Sequence, residues 1–354
     1  MARFKKTLKV FGLLLLLVLA AIVVHLYHFG PELPENTEQV IERATREPVP
    51  ELVRGESGLA QSNGTAIWYE RIGTEAPPRG TVMLIMGIAT DSLNWSPDFV
   101  DAFVDAGYQV IRYDHRDTGL SDWQGVWWPG EPYDLADMAD DSIAVLDAVG
   151  VDQAHVVGLS MGGMIAQEMA INHPQRVASL ISLMSSADID DASLPGVSYR
   201  VIFDMLRASL KYGLIGGEEN MIRLAITLRL ILRDNPEQEM DVEEVAQQVL
   251  YNERIRRGYN TFAPLRHQRA IGRSASRPER LAHIDTPTLV IHGTHDPLIP
   301  LAHGEHTAEV IPDARTYWVE GLGHDIPHGY IDDISGQILA FLEQLSGSSS
   351  DENP

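Results

Sequence analysis

The chain has 354 residues, 44% of them apolar, enough for one large domain with an insertion or for two small ones. Its 50 Asp and Glu against 27 Lys and Arg give a formal charge of −23, which argues against neutralising phosphates and so against a nucleic-acid partner. The absence of cysteine excludes disulfides, a thiolate nucleophile and Cys-based zinc sites.

In chain order, the first segment is unlike the rest. "MARFKKTLK" carries Arg3, Lys5, Lys6 and Lys9 and no acid, and the run from Val10 to Phe29 contains no Asp, Glu, Lys or Arg. Such a run, as a helix, spans roughly 30 Å, the thickness of a bilayer core. The basic flank keeps the N-terminus in the cytoplasm and sends the remainder across. Residues 1–30 are therefore expected to be a transmembrane anchor, with the bulk of the protein periplasmic or extracellular. A cleaved signal peptide is the alternative, with Val18-Leu19-Ala20 as the cleavage site and a secreted product. The apolar run, however, continues past that site and outlasts an ordinary signal core.

Residues 31–50, rich in proline and charge, read as a juxtamembrane linker with one short helix. Short apolar strands then alternate with amphipathic helices. "AIWYERIG", "TVMLIM", "YQVIRY", "AHVVG", "VASLISLMSS", "TLVIHG" and "TYWVEG" read as strands. Helices are expected over "SPDFVDAFVDAG", "DLADMADDSIAVLDAVG", "MGGMIAQEMAINH" and "ISGQILAFLEQL". The alternation means an α/β fold with a mostly parallel sheet covered on both faces. Residues 194–281 interrupt it with an all-helical block, expected to form a cap over the carboxyl edge of the sheet, where open α/β sheets bind ligands. The core is then 51–193 and 282–345, and "SGSSSDENP", residues 346–354, reads as a disordered tail.

Gly158-Leu159-Ser160-Met161-Gly162 sits where a strand turns into a helix and matches the Gly-x-Ser-x-Gly nucleophile elbow. Such a turn holds serine in a strained conformation with its hydroxyl clear of its neighbours. The Met161 N–H, at the helix start, lacks an intrahelical partner and can donate to an oxyanion. Serine needs a base, and the fold class supplies acid and then histidine downstream. Asp296, in "LVIHGTHDPLIP", is the expected acid and His324, in "VEGLGHDIP", the expected base. Asp188, Asp190 and Asp191 are rival acids and His295 a rival base, while Asp325 is expected to face solvent. Ile88, after the strand ending at Met86-Gly87, is the expected second oxyanion donor, with Gly87 behind it. In "YDHRDTGLSDW", Asp114, His115, Arg116 and Asp117 read as loop braces rather than catalytic groups. Trp123, Trp127 and Trp128 form an aromatic patch that lines an acyl pocket or simply packs.

Together "LIMGIATDSLNW", "VIRYDHRDTGLSD", "HVVGLSMGGMIAQ", "TPTLVIHGTHDPLIP" and "GLGHDIP" resemble the α/β-hydrolase superfamily, over roughly Gly64 to Leu345. Within it the chain is similar to carboxylic ester hydrolases of the aclacinomycin methylesterase type. The resemblance implies that Ser160 is nucleophile, Asp296 acid and His324 base, with Ile88 and Met161 as oxyanion donors and the helical block as the family's cap. One departure is Met86-Gly87 where many members have His-Gly; backbone groups form the oxyanion hole, so the hole survives the change. The other is the N-terminal anchor, which a cytosolic biosynthetic methylesterase would not need. A serine at the elbow does not fit haloalkane dehalogenases or epoxide hydrolases, whose nucleophile is aspartate. The expected function is serine-dependent cleavage of small-molecule or lipid-like carboxylic esters, with no cofactor and no metal. A perhydrolase, a carbon–carbon bond hydrolase or a peptidase remains open with the same triad, as does a non-catalytic binding module of this fold.

Overall fold

The computed structural model describes residues 30–73, 77–124, 132–233 and 240–350, together with 11, 12, 14, 17, 18, 20, 21 and 24. Most of the expected anchor, Trp127 and Trp128, and the last four residues of the expected tail lie outside the described residues. Among the described residues no helix is long and apolar enough to cross a membrane.

Eight strands form one sheet in the order β1-β2-β4-β3-β5-β6-β7-β8. They are β1 Glu56–Ser62, β2 Thr65–Ile72, β3 Thr81–Ile85, β4 Gln109–Tyr113, β5 Ala154–Leu159, β6 Val177–Leu183, β7 Thr288–Gly293 and β8 Arg315–Val319. Pairing is parallel from β4 to β8, while β2 runs antiparallel to both β1 and β4. The sequence reading missed β1, whose "ESGLAQS" has little β propensity. Asn63 and Gly64, both with positive φ, turn the chain back, and β2 recruits the preceding residues by register.

Alternation along β3 divides the core. Met83 and Ile85 face helices α3 (Leu135–Ala148) and α4 (Met161–Asn172), meeting Met138, Val145 and Met164. Val82 and Leu84 face α2 (Pro97–Asp105) and the C-terminal helix α11 (His328–Ser350), meeting Phe99, Phe103 and Ile338. With both faces covered, the strand ends at the carboxyl edge are left to build a site.

At the chain ends, residues 31–50 hold the one short helix expected of them, and it is docked: α1 (Thr37–Ala44) buries Val40, Ile41 and Ala44 against Ile222, Ile226, Val245 and Val249 of the helical block. Residues 346–350 are not disordered, because α11 runs on to Ser350 and the Ser346 hydroxyl donates to the Leu342 carbonyl at 3.1 Å. Small polar residues at the end of a formed helix cost far less than nucleating one.

The block inserted between β6 and β7 is helical as expected. It contains α5 (Tyr199–Ala208) with a π-type turn at Ser209–Gly213, α6 (Glu218–Arg233), α7 (Val242–Arg254), α8 (Ala263–Arg273) and α9 (Pro278–Leu281), and α10 (Leu301–Val310) follows β7.

Candidate active site

Ser160 has φ 57° and ψ −119°, outside the regions an L-residue normally occupies. Strand β5 and helix α4 hold it there. The Ser160 N–H donates to the Leu183 carbonyl at 2.9 Å, and the Ser185 hydroxyl donates to the Ser160 carbonyl at 2.7 Å. The flanking glycines are sterically required: a Cβ on Gly158 would strike the Gly162 carbonyl, and one on Gly162 the Ile85 carbonyl.

Asp296 and His324 lie beyond the carboxyl ends of β7 and β8. The Asp296 carboxylate closes a local turn, accepting the Leu298 and Ile299 N–H groups at 2.9 and 2.8 Å on Oδ1. Its Oδ2 receives the His324 Nδ1–H at 2.6 Å, which leaves Nε2 unprotonated to accept the Ser160 hydroxyl at 3.0 Å. Burial alone would raise the Asp296 carboxyl. The charge of His324 and the hydrogen bonds of His292 and His324 outweigh it and hold the group well below the usual carboxylate range. All three side chains are almost fully buried.

Of the expected oxyanion donors, Met161 directly follows this serine and Ile88 follows Gly87. Among the described residues the N–H groups of Ile88 and Met161 bond to no protein acceptor. Gly87 lies close: a Cβ built on it would sit 3.5 Å from that of Ser160. Rival residues are elsewhere engaged. Asp188 accepts from the Ser276 hydroxyl at 2.7 Å, Asp191 from Ser193, and His295 pairs with Thr294. Asp325 is not solvated as expected. Its side chain is 21% exposed and takes the Arg233 Nε–H at 2.7 Å, because the end of α6 docks on the histidine loop and needs a counter-charge there. The same helix end accepts the His324 backbone N–H on Leu232 at 2.8 Å.

Residues 80–211 match the family model described as alpha/beta hydrolase fold, and residues 267–352 one described as TAP-like protein. Rhodomycin D methylesterase DauP of Streptomyces sp. (strain C5) is 32% identical over 290 residues, 77% of this chain and 94% of that protein. The chain belongs to the α/β-hydrolase family. Rhodomycin D methylesterase DnrP of Streptomyces peucetius is likewise 32% identical, over 80% of this chain and 96% of its own. Among solved structures, a hydrolase from Pseudomonas aeruginosa PA01 superposes with a TM-score of 0.60 at 26% identity, covering 81% of this chain and 98% of that one. Kinship with methylesterases places the chain among the carboxylic ester hydrolases of the α/β-hydrolase family.

The "YDHRDTG" loop braces the surroundings of the elbow. Asp114 accepts the Ser92 N–H and hydroxyl at 3.0 and 2.8 Å, the Leu120 N–H at 2.9 Å and the Arg256 guanidinium. Arg116 forms a buried pair with Asp141 at 2.6 Å, and Asp117 bonds Tyr133 and Arg266. Trp123 packs under the Arg257 guanidinium at 4.4 Å.

Sequence reasoning overlooked His267. This residue of α8 accepts the Ala89 N–H on Nδ1 at 3.0 Å and donates from Nε2 to the Arg116 carbonyl at 2.9 Å. His115 donates from Nε2 to the Met86 carbonyl at 2.8 Å. The two imidazoles thus pin both ends of the loop that carries Ile88, and Ala89 is held at φ 58°. Nothing in an amphipathic helix marks one histidine among 13 for that part. Burial pushes His267 down to about 4 and His115 down to about 3, so both are neutral in the fold.

A folded-state value below the unfolded 6.5 means that only the unfolded chain binds these protons between those limits. Their contribution is therefore present above about pH 6.5 and is lost progressively as the pH falls towards 4. Each such histidine contributes a slope of up to about 1.4 kcal/mol per pH unit. His267→Asn, which keeps an acceptor for Ala89, is expected to reduce the pH dependence of the urea midpoint between pH 7 and 5. An unchanged dependence would mean that His267 already titrates normally.

Proposed function

We propose that this hydrolase cleaves carboxylic esters through a Ser160–His324–Asp296 triad and an acyl-enzyme. The observation that carries the reading is the continuous hydrogen-bond path from Asp296 through His324 to a strained elbow serine. Ser160 Oγ attacks the ester carbonyl carbon while its proton passes to His324 Nε2. The carbonyl oxygen becomes an oxyanion held by the Ile88 and Met161 N–H groups. Collapse expels the alcohol, which takes the proton back from Nε2. Water, deprotonated at the same nitrogen, then attacks the acyl carbon; the bond to Ser160 Oγ breaks, Oγ takes the proton from Nε2, and the acid is released. Asp296 keeps Nδ1 protonated and offsets the imidazolium charge. These steps use only the chain's own groups and water.

The methylesterase relatives support a small alkyl ester as substrate, while the apolar N-terminal run supports a lipid-like one. We read residues 10–29 as the anchor of a membrane-held enzyme whose catalytic domain lies outside the cytoplasm, on the basic-then-apolar order of the first 29 residues. The test is a burst. Full-length protein mixed with p-nitrophenyl butyrate is expected to release about one equivalent of nitrophenol per chain before the steady state if deacylation is slower, and a fluorophosphonate is expected to label Ser160 alone. A folded protein labelled at no serine would refute the mechanism.

A further inference from the structure

Helix α5 carries exposed apolar residues on its outer face. Its inner face buries Val201 and Ala208 and packs Met205, against Ile231, Leu224 and Leu228 of α6 and Leu298 of the loop beyond Asp296. Tyr199, Ile202 and Leu206, spaced three and four apart, lie on the outer face. Tyr199 is 90% exposed and Leu206 55% exposed, and Leu214, just past the π-type turn, is 76% exposed. Ile215 extends the stripe. Scattered exposed apolar residues are ordinary, whereas a contiguous helical stripe of them marks an interaction surface.

The end of the N-terminal run meets this same helix. A Cβ built on Gly30 would lie 2.9 Å from the Arg207 guanidinium, so the residue that follows the run lies beside α5. Phe11, Leu14, Leu17, Val18 and Val24, the large apolar side chains described within the run, are each more than half exposed. The exposed stripe of α5 thus lies where the residue that follows the apolar run meets the body. The composition of stripe and run favours lipid over a protein partner. A run of that length matches a bilayer core, and Tyr199 suits the headgroup boundary. With a net charge of −23, the chain gains nothing from anionic lipid, and the contact is apolar.

We propose that the outer face of α5, with Leu214 and Ile215, seats in the headgroup–acyl boundary of the bilayer that holds residues 10–29. The proposal rests on the anchor reading above, and its test separates the two. The chain has no cysteine, so single cysteines can be placed at will. Leu17→Cys, Leu206→Cys, Leu214→Cys and Gln153→Cys, each in the full chain, are labelled with bimane and reconstituted in phosphatidylcholine vesicles containing doxyl-lipid. Gln153 is the control, exposed at the amino end of β5, opposite the cap. Quenching of at least twofold is expected at positions 17, 206 and 214, with none at 153. Quenching at 17 without quenching at 206 and 214 overturns the proposal and leaves the anchor. Quenching at 206 and 214 alone removes the anchor and keeps the lipid-facing stripe. Quenching nowhere overturns both. A Leu206→Cys disulfide dimer that forms without vesicles, with no quenching at 206 in vesicles, assigns the stripe to a second copy of the chain and overturns the proposal.

Discussion

Replacing Ser160 with alanine is expected to lower kcat by a factor of about 10⁴ to 10⁶ while leaving the fold intact. Only Oγ is removed. The elbow conformation is held by backbone bonds from Ser160 to Leu183 and from the Ser185 hydroxyl, none of which uses that atom. Loss of the 3.0 Å bond to His324 Nε2 leaves the imidazole its bond to Asp296, so no buried charge is stranded. Stability is therefore expected to change by no more than about 1 kcal/mol. Residual turnover near 10³ over water is the level that oxyanion donors and substrate binding sustain without a nucleophile. The measurement is p-nitrophenyl butyrate hydrolysis beside a urea unfolding curve. A folded Ser160→Ala protein with several per cent of wild-type kcat would remove Ser160 from the mechanism.

Arg256→Met is expected to have the largest effect on stability, a loss of about 3–5 kcal/mol. Arg256 stands in the loop after α7, its side chain 1% exposed, between the carboxylates of Asp91 and Asp114 and over the Trp68 ring at 4.6 Å. Methionine keeps much of the volume and none of the charge. Two buried carboxylates would then face each other without a cation, and burial already pushes Asp91 above its usual value even with Arg256 present. Sign follows from that direction. A carboxyl whose folded value lies above its unfolded 3.8 takes up protons on folding, so stability falls as pH rises through that window. The penalty is therefore expected to be smaller at pH 5 than at pH 8 by urea midpoint. Equal penalties at both would mean that Arg256 acts through packing on Trp68 rather than by charge. Because Asp91 and Asp114 flank the oxyanion loop and its brace, the variant is also expected to lose kcat at temperatures where it remains folded.

Much of the site lies in local pattern. A β-branched strand stopping at Gly158, a serine, and two glycines opening a helix specify the elbow. Only glycine tolerates the carbonyls that crowd those positions. Asp296 and His324 each follow an apolar strand in a short turn, and the proposed mechanism takes them in chain order as acid and base. Alternation of strand and helix specifies a parallel sheet covered on both faces, and its interruption after β6 specifies the helical block. Strand β1 escaped notice because its residues have no preference of their own and fold only against β2. Residues 31–50 read as spacer because a helix of eight residues has an apolar stripe too short to announce a partner.

What the sequence by itself determined is therefore the class of fold, the strand-turn-helix at Ser160 and the loop positions of Asp296 and His324, since each is written within a dozen neighbouring residues. Tertiary structure alone decided which distant groups meet. It brought His324 to Ser160 across 164 residues, His267 to Ala89 across 178 and Arg256 to Asp114 across 142. It also turned the apolar face of α5 outward. The reason is physical. Periodicity reports which side of an element is apolar, whereas a buried histidine or arginine finds its partner only once the cap has packed and the low-dielectric interior leaves it no water to bond instead.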